Sequence, residues 1–388
     1  MKNSILFSPV KIGSITIPNR FMRSATYEGL AGMTGLPRHV LNQKIENLSI
    51  GKCGLIVPGM VYPTPRGKYE SKQCGMSRIA DAQVWQPTVD TVHQNGSKII
   101  FQVCHGGARC PPEVIGGQQP IGCSPIIPGS REMTESEIEE TIDSFLQSSF
   151  RIQSMGADGI QLHCAHGYLF SAFLSPALNH RTDKWGGSIE NRLRIVMETV
   201  KAIREFTSPD FIVSIKINGY DHIKGGVIPE LTAEYIKRLH PFVDLFEISG
   251  GLGGKPSFGV RCKYDDQACQ KNLSSKEYDQ IASEIKKSSN LTGYNEGYNL
   301  EAAEIIHKIV PDANLALVGG LRSIPMMEKL LQDGTVKLIS MSRPFLKQPH
   351  LVKDLESGKI KEIGCNSCGI CTHYPEPERV GFRCHNLK

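Results

Sequence analysis

The sequence predicts an α/β chain folded as a single-domain (β/α)8 TIM barrel, and three observations carry the prediction. Eight short apolar or β-branched runs are bounded by Gly, Pro or polar residues, helical patterns separate several of them, and chemically active side chains gather where the runs end. Strands alternating with helices imply a parallel sheet, and eight such units fit a closed barrel better than a doubly wound sheet.

In chain order the predicted strands are Arg20 to Ala25, Gly54 to Gly59, Lys98 to Val103, Gly159 to Cys164, Phe211 to Asn218, Leu245 to Gly250, Leu315 to Gly320 and Leu338 to Arg343. Ahead of the fourth strand, Thr134 and Glu137 form a capping box, and Ile138, Ile142, Phe145 and Leu146 share one helical face, so a helix is expected over Thr134 to Met155. Further helices are expected at Ser188 to Phe206, Leu231 to Leu239, Leu300 to Val310, and Pro325 to Gln332 behind a Ser323 cap. The stretch from Gly250 to Tyr298 is too long and too polar for one loop and holds a helical pattern at Ser275 to Lys287. Residues 251–298 therefore read as an insertion after the sixth strand, on the active-site face. The barrel is assigned residues 1–360, and residues 361–388 a Cys-rich tail.

Composition narrows the function. A charge of +5 over 388 residues, with Lys and Arg scattered, gives no footprint for nucleic acid or a membrane surface, so a small-molecule substrate is expected. The opening Met1 to Pro9 has too short an apolar core for a secretory signal, and no stretch approaches the roughly eighteen apolar residues of a spanning helix. A cytoplasmic protein is expected. Twelve cysteines spread through so long a chain favour free thiols or metal ligands over a disulfide scaffold.

The densest chemistry follows the fourth strand, where His163, His166 and Tyr168 emerge together. Residues i and i+3 just past a strand can point into one cavity, which offers two hydrogen-bond donors to a carbonyl oxygen and, from Tyr168, a transferable proton. Other strand ends carry Gly59, Gln102, Lys216 with Asn218, Gly319-Gly320, and Ser342-Arg343. Paired glycines after the seventh strand and an Arg after the eighth match the phosphate site of barrels. With Lys216 on one side and the Gln102 amide on another, the set describes a flavin mononucleotide pocket, although a phosphate cradle alone also fits a sugar-phosphate enzyme. Such an enzyme needs a Schiff-base Lys or metal carboxylates at strand ends. Lys216 stands there without a carboxylate cluster.

Several segments together are specific enough to name a family. Leu6-Phe7-Ser8-Pro9, Gln102 with His105-Gly106-Gly107, His163-x-x-His166-Gly167-Tyr168, Phe173-Leu174-Ser175-Pro176, Asn179 with Arg181-Thr182-Asp183, Gly186-Gly187-Ser188 with Glu190-Asn191-Arg192, Val318-Gly319-Gly320 and Met341-Ser342-Arg343-Pro344 resemble the old yellow enzyme family of FMN-dependent oxidoreductases. The chain looks like a short form similar to the barrel portion of dienoyl-CoA reductase. The resemblance implies FMN held by Ser24, Ala25, Thr26, Gly59, Gln102, His163, Lys216, Gly319, Gly320, Ser342 and Arg343, with NADH or NADPH as electron donor. It also implies an ene reductase: hydride passes from flavin N5 to the β-carbon of an α,β-unsaturated carbonyl, His163 and His166 hold the carbonyl oxygen, and Tyr168 is the proton donor. A homodimer is the assembly it allows. Lys216 stands where an Arg is frequent, Gln161 where a Glu is frequent, and Tyr27 follows Thr26 where relatives place a Thr or Cys near the flavin.

The tail carries a competing possibility. Cys365-x-x-Cys368-x-x-Cys371, with Cys384 after twelve intervening residues, suits a 4Fe-4S cluster or zinc, against the alternative of unmetallated thiols at the barrel rim. Longer members of the family hold a cluster near this position. The second function class is therefore an iron–sulfur flavoprotein that exchanges electrons with a protein partner.

Overall fold

The computed structural model describes residues 3–253, 258–373 and 381–386. An antiparallel hairpin, β1 (Val10–Ile12) and β2 (Ile15–Ile17), comes first. Eight parallel strands then close into a barrel in chain order: β3 (Phe21–Arg23), β4 (Leu55–Ile56), β5 (Lys98–Val103), β8 (Gly159–Cys164), β9 (Ile212–Asn218), β10 (Leu245–Ser249), β11 (Leu315–Val318) and β12 (Leu338–Met341). The two-residue strands β6 (Ile121–Gly122) and β7 (Arg131–Glu132) pair outside it. All eight strands expected from the sequence are staves of the barrel. Several are shorter than expected, because residues such as Ser24, Gly59 and Gly319 leave the ladder and turn into the mouth.

Helices wrap the barrel: α1 (His39–Ile50), α2 (Ile79–Gln94), α3 (Glu135–Ser154), the short α4 (Leu169–Leu174), α5 (Ile189–Phe206), α6 (Pro229–Leu239), α7 (Asp266–Asn272), α8 (Ser275–Thr292), α9 (Leu300–Ile309), α10 (Ile324–Gln332), α11 (Arg343–Lys347), α12 (Leu351–Ser357) and α13 (Ile370–His373). The expected capping box opens α3: Thr134 accepts from the Glu137 N–H at 3.3 Å and Glu137 accepts from the Thr134 N–H at 3.0 Å. No pattern noted above marks α1 or α2. In α2 the reason is physical, since Pro87 lies inside the helix and its buried face includes Asp81 and Thr88.

The lumen has two layers. Side chains alternate across each strand, so Met22, Leu55, Val57, Ile100, Ile212, Leu245, Ala316 and Leu338 meet inside, where Ile12 and Ile17 of the hairpin join them. This apolar plug fills the N-terminal end. Two residues further along, the same rows become polar: Ser24, Gln102, Ser214, Glu247 and Ser340. The insertion and the tail share a satellite core, in which Cys262, Cys269, Ile281 and Ile285 pack against Cys368 and Ile370. Among the described residues, no helix is long and apolar enough to cross a membrane.

Candidate active site

Glu247 is the hub of the polar layer. It is fully buried in the middle of β10, and its carboxylate accepts from Ser24 Oγ at 2.6 Å, Ser340 Oγ at 2.7 Å and Gln161 Nε2 at 3.0 Å. Lys216, 4% exposed, pairs with it at 3.3 Å and donates to Ser24 Oγ at 2.8 Å. Register explains the meeting, because Lys216 lies opposite Glu247 on one neighbouring strand and opposite His163 on the other. Gln102 extends the network by donating to Gln161 Oε1 at 2.7 Å. A carboxylate satisfied by four donors is a stable way to keep a charge in a barrel lumen.

Above this layer His163, His166 and Tyr168 converge. The two imidazoles stand 5.1 Å apart edge to face, and the His163 and Tyr168 rings 4.8 Å apart. His163 Nδ1 accepts from the Ala165 N–H at 3.3 Å, so that ring carries its proton on Nε2. His166 sits at φ +65°, a backbone conformation rare outside glycine, and is secured by its N–H to Asn218 Oδ1 at 3.2 Å and by Nε2 against Ser249 Oγ at 2.8 Å. Burial lowers the pKa of both imidazoles, that of His166 to about 3, and Lys216 adds to the effect. Both are neutral at neutral pH. Burial likewise lifts the Tyr168 phenol well above its ordinary value, so it keeps its proton.

The remaining expected residues fall into two groups. Thr26 Oγ1 meets Ser342 Oγ at 2.6 Å, beside Ala25 and Ser24, while the Gly59 N–H donates to Glu28 Oε2 at 3.0 Å. Gly319 and Gly320 adopt φ +146° and +74°, and a Cβ at either would meet the Tyr298 ring at about 3 Å. Arg343 is buried, and its Nη1 has no hydrogen-bond partner among the described residues. Sequence reasoning missed Glu247, Ser249, Tyr69, whose ring packs 5.1 Å from Tyr168, and Arg109, which donates to the Gly167 carbonyl at 3.0 Å. Only Glu247 left a signal, a lone charge inside the apolar run Leu245-Phe246-Glu247-Ile248.

The four tail thiols of Cys365, Cys368, Cys371 and Cys384 line one narrow cavity together with Arg343 and Lys347. Arg322, which follows the paired glycines, donates to Cys365 Sγ at 3.3 Å and to the Cys365 carbonyl at 2.8 Å. Burial pushes the Cys371 thiol up to about 12. Among the described residues no three His, Cys, Asp or Glu stand close enough to hold a single metal ion.

Fold and mouth together define a (β/α)8 barrel with a candidate site at its strand ends. The model of the NADH:flavin oxidoreductase / NADH oxidase family matches residues 5–240. The chain belongs to that family, the old yellow enzyme type of flavin oxidoreductase barrel. It is 28% identical over 374 residues to an NADH oxidase of Thermoanaerobacter brockii, covering 94% of this chain and 53% of that protein. It is 32% identical over 367 residues to the NADH-dependent flavin oxidoreductase nadA of Aspergillus parasiticus, covering 88% and 76%. Among solved structures, 2-naphthoyl-CoA reductase superposes with a TM-score of 0.80 at 25% identity over 94% of this chain and 54% of that one. The old yellow enzyme homologue from Zymomonas mobilis shares the fold, with a TM-score of 0.73 at 21% identity over 92% and 93%. The chain thus spans about half the length of the NADH oxidase and of the naphthoyl-CoA reductase.

Two predictions follow from the site's electrostatics. Glu247→Leu strands the Lys216 charge and should cost about 3–5 kcal/mol in urea unfolding, while adding Lys216→Met should recover most of the loss. Equal stability of the single and double variants would contradict the hub role. Second, His105 and His166 titrate near 3 in the fold because burial disfavours the cation, whereas an unfolded imidazole titrates at about 6.5. The unfolded chain therefore takes up protons first as pH falls, and the stability these rings contribute above pH 6.5 is lost progressively towards pH 3. Between about pH 6.5 and 5 the unfolding free energy should fall by up to about 1.4 kcal/mol per pH unit for each ring, and His105→Asn should flatten the slope.

Proposed function

We propose that the chain is an NAD(P)H-dependent, FMN-containing ene reductase acting on activated α,β-unsaturated carbonyl compounds. The convergence of two neutral imidazoles and a protonated phenol at one strand end is the observation that carries this reading.

The residues present fit the flavin. The unpartnered Arg343 Nη1 and the two glycines at positive φ suit a phosphate, and the buried Lys216 suits a ring system that gains negative charge. Ser24, Ala25, Thr26, Gly59, Gln102, His163 and Ser342 would complete the cradle. When bound, FMN supplies the hydride that the β-carbon of the substrate accepts.

The side chains do the rest. His163 donates its Nε2–H to the substrate carbonyl oxygen, and His166 turns its ring to the same oxygen. Negative charge builds on that oxygen as the β-carbon is reduced, so preplaced donors favour the transition state over the bound enone. Tyr168 then delivers its proton to the α-carbon. Its raised pKa holds that proton until a basic carbon appears. The nicotinamide nucleotide and the enone use the same mouth in turn, which gives ping-pong kinetics.

A second reading is favoured by the four thiols that share one cavity beside Arg322 and Arg343. Cys365, Cys368, Cys371 and Cys384 would be the ligands of a 4Fe-4S cluster, and the Arg322 N–H to Cys365 sulfur bond would help to stabilise its negative charge. The chain would then be an iron–sulfur flavoprotein passing electrons to a protein partner.

Tyr168→Phe should slow anaerobic reoxidation by an enone about 100-fold or more while leaving reduction by NAD(P)H within about twofold; equal loss in both half-reactions would remove the proton-donor role. His163→Ala should slow both half-reactions and weaken phenol binding. On the second reading, protein purified anaerobically should contain roughly four iron and four acid-labile sulfide per chain, and Cys371→Ser should lose them. Absence of both from the wild-type protein excludes the cluster.

A further inference from the structure

The insertion brings a guanidinium to the mouth that the chemistry above does not use. Its first residues dock on the reactant loop: the Gly253 N–H donates to the His166 carbonyl at 2.7 Å, and Leu252 bridges to His166. Further along, Gly259 lies so close that a Cβ there would stand 3.3 Å from His166 Nε2. Two residues on comes Arg261.

Arg261 is positioned by several contacts. Its guanidinium lies over the Tyr298 ring at 4.9 Å and near Phe258 at 5.9 Å, and Tyr298 in turn covers Gly319 and Gly320. Arg261 Nη2 donates to His222 Nε2 at 3.0 Å, and Nε reaches the Phe258 carbonyl at 3.4 Å. His222 is stacked between Tyr220 at 5.4 Å and Phe258 at 5.0 Å, with its backbone at φ +57°. Burial and the neighbouring guanidinium lower the His222 pKa, so it acts as an acceptor that orients Arg261 and adds no second charge. No carboxylate pairs with Arg261 among the described residues. A half-buried guanidinium uses two of its five donors here, and the others have a fork geometry suited to a carboxylate or phosphate.

We propose that Arg261, oriented by His222 and Tyr298, is an anion-recognition subsite for a carboxylate or phosphate carried by a reactant bound at His163 and His166. The inference rests on the reading of that pair as the reactant site. The anion has two sources, an acidic group on the reducible substrate or the 2′-phosphate that distinguishes NADPH from NADH, and the test separates them.

Calorimetry on the FMN-loaded protein would compare 3-(4-hydroxyphenyl)propionate with its neutral amide, and stopped-flow reduction would compare NADPH with NADH. Arg261→Met keeps the stem and removes the charge, while Arg261→Lys keeps the charge without the fork. The wild-type protein should bind the acid at least about tenfold tighter than the amide, or show such a preference for NADPH. Arg261→Met should erase the preference, with binding of the amide and reduction by NADH unchanged within about twofold, and Arg261→Lys should restore part of it. Loss confined to the acid–amide ratio identifies the substrate as the source, and loss confined to the nucleotide ratio identifies the nucleotide. If neither wild-type ratio exceeds about twofold, or neither moves in Arg261→Met, the inference is overturned. Failure of the underlying reading looks different: His163→Ala would then leave binding of both phenols intact.

Discussion

A buried carboxylate organises the mouth of this barrel. Glu247 on β10 draws donors from four other strands: Ser24 beyond β3, Gln161 on β8, Lys216 on β9 and Ser340 on β12. In the low-dielectric lumen an ion pair lacking any of these donors costs several kcal/mol, so the network specifies the register of the strands as much as their association. The amide at Gln161 fits this arrangement. It donates to Glu247 and accepts from Gln102, whereas a second carboxylate there would repel the first.

On that base stands a strained rim. His166 and His222 both hold positive φ without being glycine, and each is fixed by contacts beyond its own strand, from Ser249 and Asn218 in one case and Arg261 in the other. Such conformations persist where surrounding structure over-determines them, which is how a mouth keeps its groups placed before a reactant arrives. The lumen below changes from apolar to polar within two residues along five of the rows, from Met22, Ile100, Ile212, Leu245 and Leu338 to Ser24, Gln102, Ser214, Glu247 and Ser340, so the apolar plug around Ile12 and Ile17 underlies a polar upper layer.

The insertion and the tail are coupled. Cys262 and Cys269 of the insertion share a small core with Cys368 and Ile370 of the tail. Arg322 reaches from the paired-glycine loop to Cys365, and Arg343 borders the thiol cavity. The paired-glycine loop and the four tail thiols are thereby neighbours through two guanidiniums.

The sequence by itself determined what depends on local pattern: eight strands by apolar runs and their boundaries, α3 by its Thr134–Glu137 box, and the His163, His166 and Tyr168 group by its place at a strand end. Helix α2 escaped notice because Pro87 and a partly polar buried face blur its period. Tertiary structure alone decided the partners. Period two tells that Glu247 and Lys216 face inward but not that they face each other across a closed barrel, and Ser24 reaches Glu247 over 223 residues of chain. The same holds for Arg261, since no spacing in the sequence shows that an insertion folds back until its guanidinium lies beside His222 and Tyr298. Local periodicity fixes faces; closure of the sheet and the packing of its loops fix neighbours.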